Sequence, residues 1–407
     1  MMKYRIDFEA RDLLYFGDGH EADGSMAGNG SNWPLPSVVN SALIQAMHRG
    51  LEEKVGEIES KHTSLNKRER QKGSGVRFSF GGTQTIGPFP VKNGKMLIPI
   101  PADLQMGADK AFQLMHILDN DGENNLPSPL TKLVAPVLPP SKEEPGSWME
   151  WDDLEGYLEG CAAFKSIQTS EIYKSEWRMG LGIDASTQTV EDGKLYSAEY
   201  MRLEQGVALR VYASYEASGY HGKNKTDIMA NAKEQRILEH ITLGGQQGVA
   251  MQVAFEEETL KLPPIKPTRR LKWILLAPAL FSAGWRPGFV DATGKVRLKQ
   301  DTIPRGKLPR DEWRRQMRQA SEINAKLVAA RIPKHKVVSG WKLNGSTTGQ
   351  PKASRRLVPA GSVFYFECDD DSNAKMLATV LHGRMHSDEC GEQGFGFGVC
   401  GNWNNQI

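Results

Sequence analysis

Three observations predict an α+β protein. Apolar residues alternate at period two in several short runs, they recur at helical spacing in two longer ones, and the order strand, helix, paired strands met at the N-terminus returns in the C-terminal half. At 407 residues the chain is too long for one ordinary core. The expected division is residues 1–150 with loop insertions, a central hairpin region 151–260 packing on both halves, and residues 261–407 with a basic insertion at 286–336.

The elements follow in chain order. Residues 4–8 read as the first strand, and FGDGHEADGSMAGNGSNWPLP as a glycine-rich connection into a helix begun by Pro36 and Ser37, with Ser37 as N-cap and Gly50 as the stop. Residues 51–75 are charged, lack apolar periodicity and are expected as loop. VRFSFGG (76–82) and KMLIPIP (95–101) read as paired strands around a turn-rich 83–94. Prolines from 127 to 145 mark a long connection. LYSAEYMRL and VALRVYASY flank Glu204-Gln205-Gly206 and are expected to pair as a hairpin over 195–215.

In the C-terminal half, 271–280 and 361–368 read as buried strands and 371–386 as an amphipathic helix with Met376 and Val380 inward. Residues 309–332 read as a basic helix begun by Pro309, with Arg314, Arg315 and Arg318 on its surface. GEQGFGFGVC (391–400) closes the pattern as the last strand. Its alternate glycines imply that something approaches the backbone closely. Strand, helix, paired strands, helix, strand is the order of a ferredoxin-like (RRM-like) βαββαβ domain, here used twice, with long inserted hairpins, loops and the basic helical insertion. Such sheets leave one face open for RNA.

No apolar run is long enough to span a bilayer, so no membrane partner is expected. MMKYRIDFEARD carries charges where a secretory leader needs an apolar core, and Cys161, Cys368, Cys390 and Cys400 form no CxxC; both point to the cytoplasm. The formal net charge of +2 conceals an asymmetry: residues 261–360 hold 23 Lys and Arg against 5 Asp and Glu, while residues 1–260 hold 26 against 37. A basic block in an otherwise acidic chain points to a polyanion or an acidic partner met by one region.

His382, His386 and Cys390 have the spacing of a partial zinc site, but the turn at SDECGEQG draws the cysteine away, so two surface histidines are expected and no metal. Three acids in CDDDSNA suit a helix N-terminus better than magnesium. No G-x-S-x-G or H-E-x-x-H is present, and no cofactor is expected. His20, in the glycine-rich connection, is the one residue placed like a general acid of an RNA-cleaving enzyme. FGDGH, GSGVRFSFGGTQTIGPF, LGGQQG, SAGWRPG and GFGFG set glycines beside Arg, Gln, Trp and Phe, groups suited to phosphates and stacked bases.

Several of these segments together resemble one family: subunit three of the Cmr complex, the type III-B CRISPR-Cas effector, in the RAMP superfamily. ARDLLYFGDG followed by WPLPSVVNSAL is similar to its opening, and GPFPVKNGKMLIPIPADL to a segment ending in Pro-x-Pro-x-Asp-Leu. EWRMGLGIDASTQTVEDGKLYSAEYMRL resembles its central motif at Arg178, Gly180, Gly182, Ile183, Gly193, Leu195 and Tyr196. ITLGGQQG, LLAPALFSAGWRPG, VSGWKL, RRLVPAGSVFYFE and GFGFGVCGNW continue in order, so the resemblance spans about residues 5–403 and departs at 51–75 and 295–336.

The resemblance implies a non-catalytic RNA-binding subunit that caps the foot of the effector ribonucleoprotein in antiviral defence. It would hold the 5′ repeat-derived tag of the crRNA beside the large polymerase-cyclase subunit and the first backbone RAMP subunit, and meet target RNA indirectly. On that reading Arg178, Arg286 and Lys342 position phosphates, and Trp33, Trp285 and Trp341 stack bases. Main-chain amides near Gly244, Gly245, Gly394, Gly396 and Gly398 complete the cradle, with Ser37 and Gln84 beside it. The alternatives are a repeat-RNA endoribonuclease using His20, and a purely structural adaptor whose basic block meets an acidic subunit.

Overall fold

A computed structural model describes residues 2–17, 27–28, 33–55, 82–120, 122, 125–139, 146–183, 186–215, 227–299, 311–312, 322–342, 350–351 and 353–404. The order along the chain is β1 (Tyr4–Ala10), α1 (Pro36–Val55), β2 (Thr83–Lys92), β3 (Lys95–Pro99), β4 (Trp148–Glu150), α2 (Leu154–Leu158), β5 (Tyr173–Ile183), β6 (Val190–Leu203) and β7 (Val207–Tyr215). There follow α3 (Ile228–Glu234), β8 (His240–Thr242), β9 (Val249–Glu256), β10 (Arg270–Leu275), β11 (Ala325–Arg331), β12 (Val363–Cys368), α4 (Asp371–Leu381), β13 (Arg384–Met385) and β14 (Phe397–Asn402). The fold is α+β, with largely antiparallel sheets and few helices.

A seven-stranded sheet runs β8-β9-β1-β7-β2-β3-β4 and a five-stranded sheet runs β11-β12-β10-β14-β13. In chain order the four inner strands of the first are β1, β2, β7 and β9, and in space they stand fourth-first-third-second. The second sheet repeats this with β10, β11, β12 and β14. Because β7 and β9 belong to the first sheet, the boundary expected at residue 150 falls inside that unit, and the two units meet between residues 256 and 270.

Period-two burial explains the arrangement. On one face of the first sheet Tyr4, Ile6, Phe8, Leu209 and Val211 pack under Val39, Leu43 and Met47 of α1 and Met229 of α3. In the second sheet Leu271, Trp273, Phe364 and Phe366 pack under Leu377, Ala378 and Leu381 of α4. The alternate residues of both sheets join a third cluster: Ile86, Phe89, Val91, Ile98 and Tyr212 against Ile274, Val328, Val363, Tyr365, Phe397 and Val399. The two sheets therefore pack face to face, and the open RRM-like face expected from the sequence is largely covered by its counterpart. What stays open lies at β9, where Met251 and Val253 are exposed.

Several local expectations are corrected. The turn-rich 83–94 is the strand β2: its prolines are accommodated where the register to β7 breaks between Arg210 and Tyr212, beside Gly87. Of the expected strand 76–82 all but residue 82 lies outside the described residues, as do residues 56–75 of the expected loop. The turn at Glu204 forms, with Val207 N–H donating to the Glu204 carbonyl at 3.1 Å, but it joins different sheets. Both edges of β7 are taken by β1 and β2, and β6 pairs with β5 from Tyr173↔Leu203 to Ile183↔Val190.

Helix α1 begins at Pro36, so Ser37 lies in its first turn and is no N-cap, and the helix runs through Gly50 to Val55. Lacking Cβ there lets Ile237 approach; an added Cβ would stand 2.5 Å from it. In the expected basic helix 309–332 the segment Ala325–Arg331 is instead a strand, because Ala325, Leu327 and Ala329 fill the second sheet; residues 313–321 lie outside the described ones. Helix α4 stops at Leu381, with the Asp370 side chain accepting from Asn373 N–H at 2.7 Å at its start. Among the described residues no helix is long and apolar enough to cross a membrane.

Candidate nucleic-acid interface

The glycine run lies on the seam between the two units, and what approaches it is protein. An added Cβ would stand 2.8 Å from the Thr85 carbonyl oxygen of β2 at Gly394, 2.4 Å from Ser387 N at Gly396, and 2.4 Å from Trp273 Nε1 at Gly398. Gly394 and Gly396 also hold φ of +101° and +70°, a region glycine enters without strain. Between them Phe395 joins Leu280, Leu357, Val338 and Leu35, and Phe397 meets Phe89 edge-on at 6.3 Å in the inter-sheet core. Of the amides expected to form a cradle, those of Gly245, Gly394, Gly396 and Gly398 are engaged within the chain. Gly394 N–H donates to Gly391 O, Gly396 N–H to Pro278 O and Gly245 N–H to Tyr15 O, while Gly398 lies in the β14 ladder.

Gly244 and Gly245 serve the same purpose elsewhere. A Cβ at Gly244 would come 2.3 Å from the Tyr15 carbonyl oxygen, so this pair seats the segment that follows β1. Trp33 is likewise a packing residue: its Nε1–H donates to the Pro88 carbonyl at 2.7 Å, and its ring lies edge-on to Trp148 at 5.8 Å and beside Tyr173 at 6.3 Å. Ser37 and Gln84 are half-buried near the seam, where Asn40 Nδ2–H donates to Thr85 Oγ1 (3.1 Å) and Thr85 Oγ1–H to the Gln393 carbonyl (3.2 Å).

Trp285 and Arg286 sit on a tight loop that Asp388 organises. Its Oδ2 accepts from Ser282 N–H at 2.8 Å, its Oδ1 from Gly288 N–H at 3.1 Å, and its own N–H donates to Leu280 O at 3.0 Å. A Cβ at Gly288 would stand 2.3 Å from Asp388 Oδ1, which accounts for glycine at that position. Trp285 packs half-buried on the second core. Arg286 is half-buried, and among the described residues its Nε is a buried donor without a hydrogen-bond partner.

Next to the same seam runs a basic edge. Lys326 and Arg331 of β11, Lys334, and Lys336 and Arg356 on the paired strands Lys336–Val338 and Arg355–Leu357 are exposed and, among the described residues, without an acidic partner. Leu357 and Val338 of those strands enter the Phe395 cluster, so the basic edge is continuous with the glycine run. Trp341 and Lys342 follow on a two-residue strand paired with Gln350–Pro351. Neighbouring basic groups are neutralised: Arg297 pairs with Asp291, whose carboxyl is held well below the usual range first by the Thr293 hydroxyl.

Arg178 stands apart, exposed on the β5–β6 hairpin, 2.9 Å from Glu176 and with its guanidinium 6.0 Å from the Tyr200 ring centroid. Tyr200 in turn lies 5.6 Å from Tyr15. On the opposite hairpin face Trp177, Met179 and Ile183 are exposed, a row that the sequence shows only once β5 is known to be a strand.

The histidines are not surface groups. His382 Nδ1 accepts from Cys400 N–H at 3.0 Å and its Nε2 lies 3.1 Å from the Pro263 carbonyl, which fixes the neutral ring; burial pushes its pKa down. His386 Nε2 lies 2.7 Å from the Val380 carbonyl. Among the described residues no group of three or more His, Cys, Asp or Glu is placed to hold a metal ion. His20 lies outside the described residues. Sequence reading missed Asp388, exposed in a turn, and Asp103. The latter ends the Pro-x-Pro-x-Asp-Leu segment and accepts from Tyr157 (2.6 Å), Tyr365 (2.9 Å) and Lys272 (3.1 Å), all buried.

A family described as CRISPR-associated protein (Cas_Cmr3) matches residues 6–403. No curated protein matches. Among solved structures, the chain is similar to one in a cryo-EM structure of the Type III-B Cmr-beta bound to cognate target RNA and AMPPnP, at 17% identity over 89% of this chain and 86% of that one, with a TM-score of 0.41. It is also similar to one in a crystal structure of a Csm3-Csm4 subcomplex in the type III-A CRISPR-Cas interference complex, at 11% identity over 91% and 93%, with a TM-score of 0.33. The family match carries the assignment.

Proposed function

The chain belongs to the CRISPR-associated Cmr3 family, and from that premise we propose that it is a non-catalytic RNA-binding subunit of a type III-B CRISPR-Cas effector ribonucleoprotein. In this reading it caps the foot of the complex in the cytoplasm. There it holds the 5′ tag of the crRNA beside the large polymerase-cyclase subunit and the first backbone subunit. The family match over residues 6–403 is the observation that carries it. Both units are read as ferredoxin-like, supported by their shared strand order.

The physics favours an edge over a sheet face. With most of the two sheet faces packed on each other, the seam with its basic edge, rather than the open strip at β9, is the surface assigned to a single strand. Arg286 Nε is a buried donor in want of an acceptor, and a phosphate oxygen supplies one. Lys326, Arg331, Lys334, Lys342 and Arg356 extend the positive track, and Gln84, Ser37, Trp285 and Trp341 are the polar and aromatic groups assigned to bases. Arg178 and Tyr200 form a second contact on the hairpin. Trp33 and the five glycines shape the surface from beneath.

The test uses the assembled complex, loaded with crRNA carrying or lacking the 5′ tag. Tagged crRNA is expected to bind at least tenfold more tightly, and Arg286→Ala to reduce that preference. Equal affinity for both, unchanged by Arg286→Ala, would leave the structural-adaptor reading. Cleavage of repeat RNA by the purified chain, lost in His20→Ala, would establish the endoribonuclease instead.

A further inference from the structure

A cavity of about 550 Å³ opens between the two units at the far end of β14 from the glycine run, where Asn402 and Trp403 form part of its wall. Its floor is the buried set Asp103, Lys272 and Tyr365, and α2 brings Leu158 to its side and Glu155 and Glu159 to its mouth. The Asp103 carboxylate accepts from three donors. The Lys272 ammonium gives one proton to Asp103 and lies 3.8 Å from the Tyr157 ring centroid, so it keeps donors beyond the one that Asp103 uses.

Charge decides what kind of ligand enters. Asp103 and Lys272 cancel, so the remaining charges of the lining are Glu155 and Glu159 against Lys266, with the Arg270 guanidinium 5.2 Å from the Trp403 ring centroid. A polypeptide with a basic residue fits each feature: a main-chain carbonyl for Lys272, an aliphatic stem along Leu158 and Trp403, and a cationic head between Glu155 and Glu159, which lie four apart on one side of α2.

We propose that this cavity receives a lysine- or arginine-bearing segment of a neighbouring protein, so that the chain meets RNA at one end of β14 and protein at the other. The proposal stands on the cavity alone and does not depend on the RNA reading. The probe is an acetylated and amidated tetrapeptide of alternating arginine and glycine, titrated into the full chain and into the Glu155→Gln/Glu159→Gln variant. Both substituted side chains are exposed, and an unchanged melting temperature shows that the variant stays folded. Binding is followed by calorimetry and by hydrogen exchange over residues 155–160 and 401–404.

The expected result is protection of both segments, at least tenfold weaker binding to the variant, and no protection by a glutamate–glycine tetrapeptide. Equal binding to the variant, or no protection of these segments, would overturn the proposal. Protection of the same segments by single-stranded RNA would overturn it too, making nucleic acid the occupant.

Discussion

The two units share one strand order and differ in what connects their first and second strands. In the N-terminal unit β1 passes to β2 through the helix α1, whose Val39, Leu43 and Met47 seal one sheet face. In the C-terminal unit the corresponding stretch from β10 to β11 runs, where described, through turns and isolated bridges pinned by Asp388 and Asp291, and carries Arg286 and the start of the basic block. The sheet frame is thus used twice for packing, while the connection from β10 to β11 carries the charge. On the proposed reading, RNA is met at a connection rather than on a sheet face.

The largest effect is expected where the frames are joined. Asp103→Ala leaves Lys272 buried and two tyrosine hydroxyls without their acceptor, and is expected to destabilise the chain by about 3–5 kcal/mol. Because the cluster spans both units, one cooperative urea transition should shift as a whole. Two separate transitions, one unmoved, would mean that the units fold independently. The double replacement Asp103→Leu with Lys272→Met should recover much of the loss, since it removes both charges together.

A smaller contrast separates backbone freedom from close approach. Gly94 and Gly396 both have positive φ, of 82° and 70°, but an alanine Cβ meets nothing within 4 Å at Gly94 and Ser387 N at 2.4 Å at Gly396. Gly94→Ala is expected to destabilise by about 1–2 kcal/mol, and Gly396→Ala by roughly 1–3 kcal/mol more through overpacking at the seam. Equal losses in thermal melts would mean that the seam yields.

Smaller still is the pH dependence from His382. Its folded pKa is lowered, so the unfolded chain binds the proton more readily. Its contribution is present above the ordinary value of 6.5 and is lost as pH falls through the lowered folded value. Stability should decline between pH 7 and 5, and less so in His382→Gln. Within the RNA reading, Arg286→Ala should flatten the slope of log affinity against log salt by about 0.7, the share of one single-strand phosphate. An unchanged slope would remove Arg286 from the phosphate contacts.

Much of the frame was legible because the apolar runs at 271–275 and 363–368 and the alternation at 4–8 are local signals. Residues 83–92 were not, since their glycine and prolines read as turn until β7 offers a bulge to oppose them. The hairpin was assigned to 195–215 rather than to β5–β6 because turn chemistry at Glu204 says nothing about which strand each neighbour will pair with. Glycine spacing at 394–398 correctly announced a close approach, but not whose: the answer depends on Thr85, Ser387 and Trp273, two of them far away in sequence. Asp103 and Asp388 were invisible for the same reason, their partners being assembled only by the fold.

The most direct test is to map crosslinks from crRNA containing photoreactive nucleotides in its 5′ tag, within the assembled complex. The account predicts crosslinks confined to residues 281–288 and 326–357 and to the hairpin near Arg178. Crosslinks at Met251 and Val253 on the open side of β9, with none at the Arg286 loop or the basic edge, would contradict it and return the RNA to a sheet face.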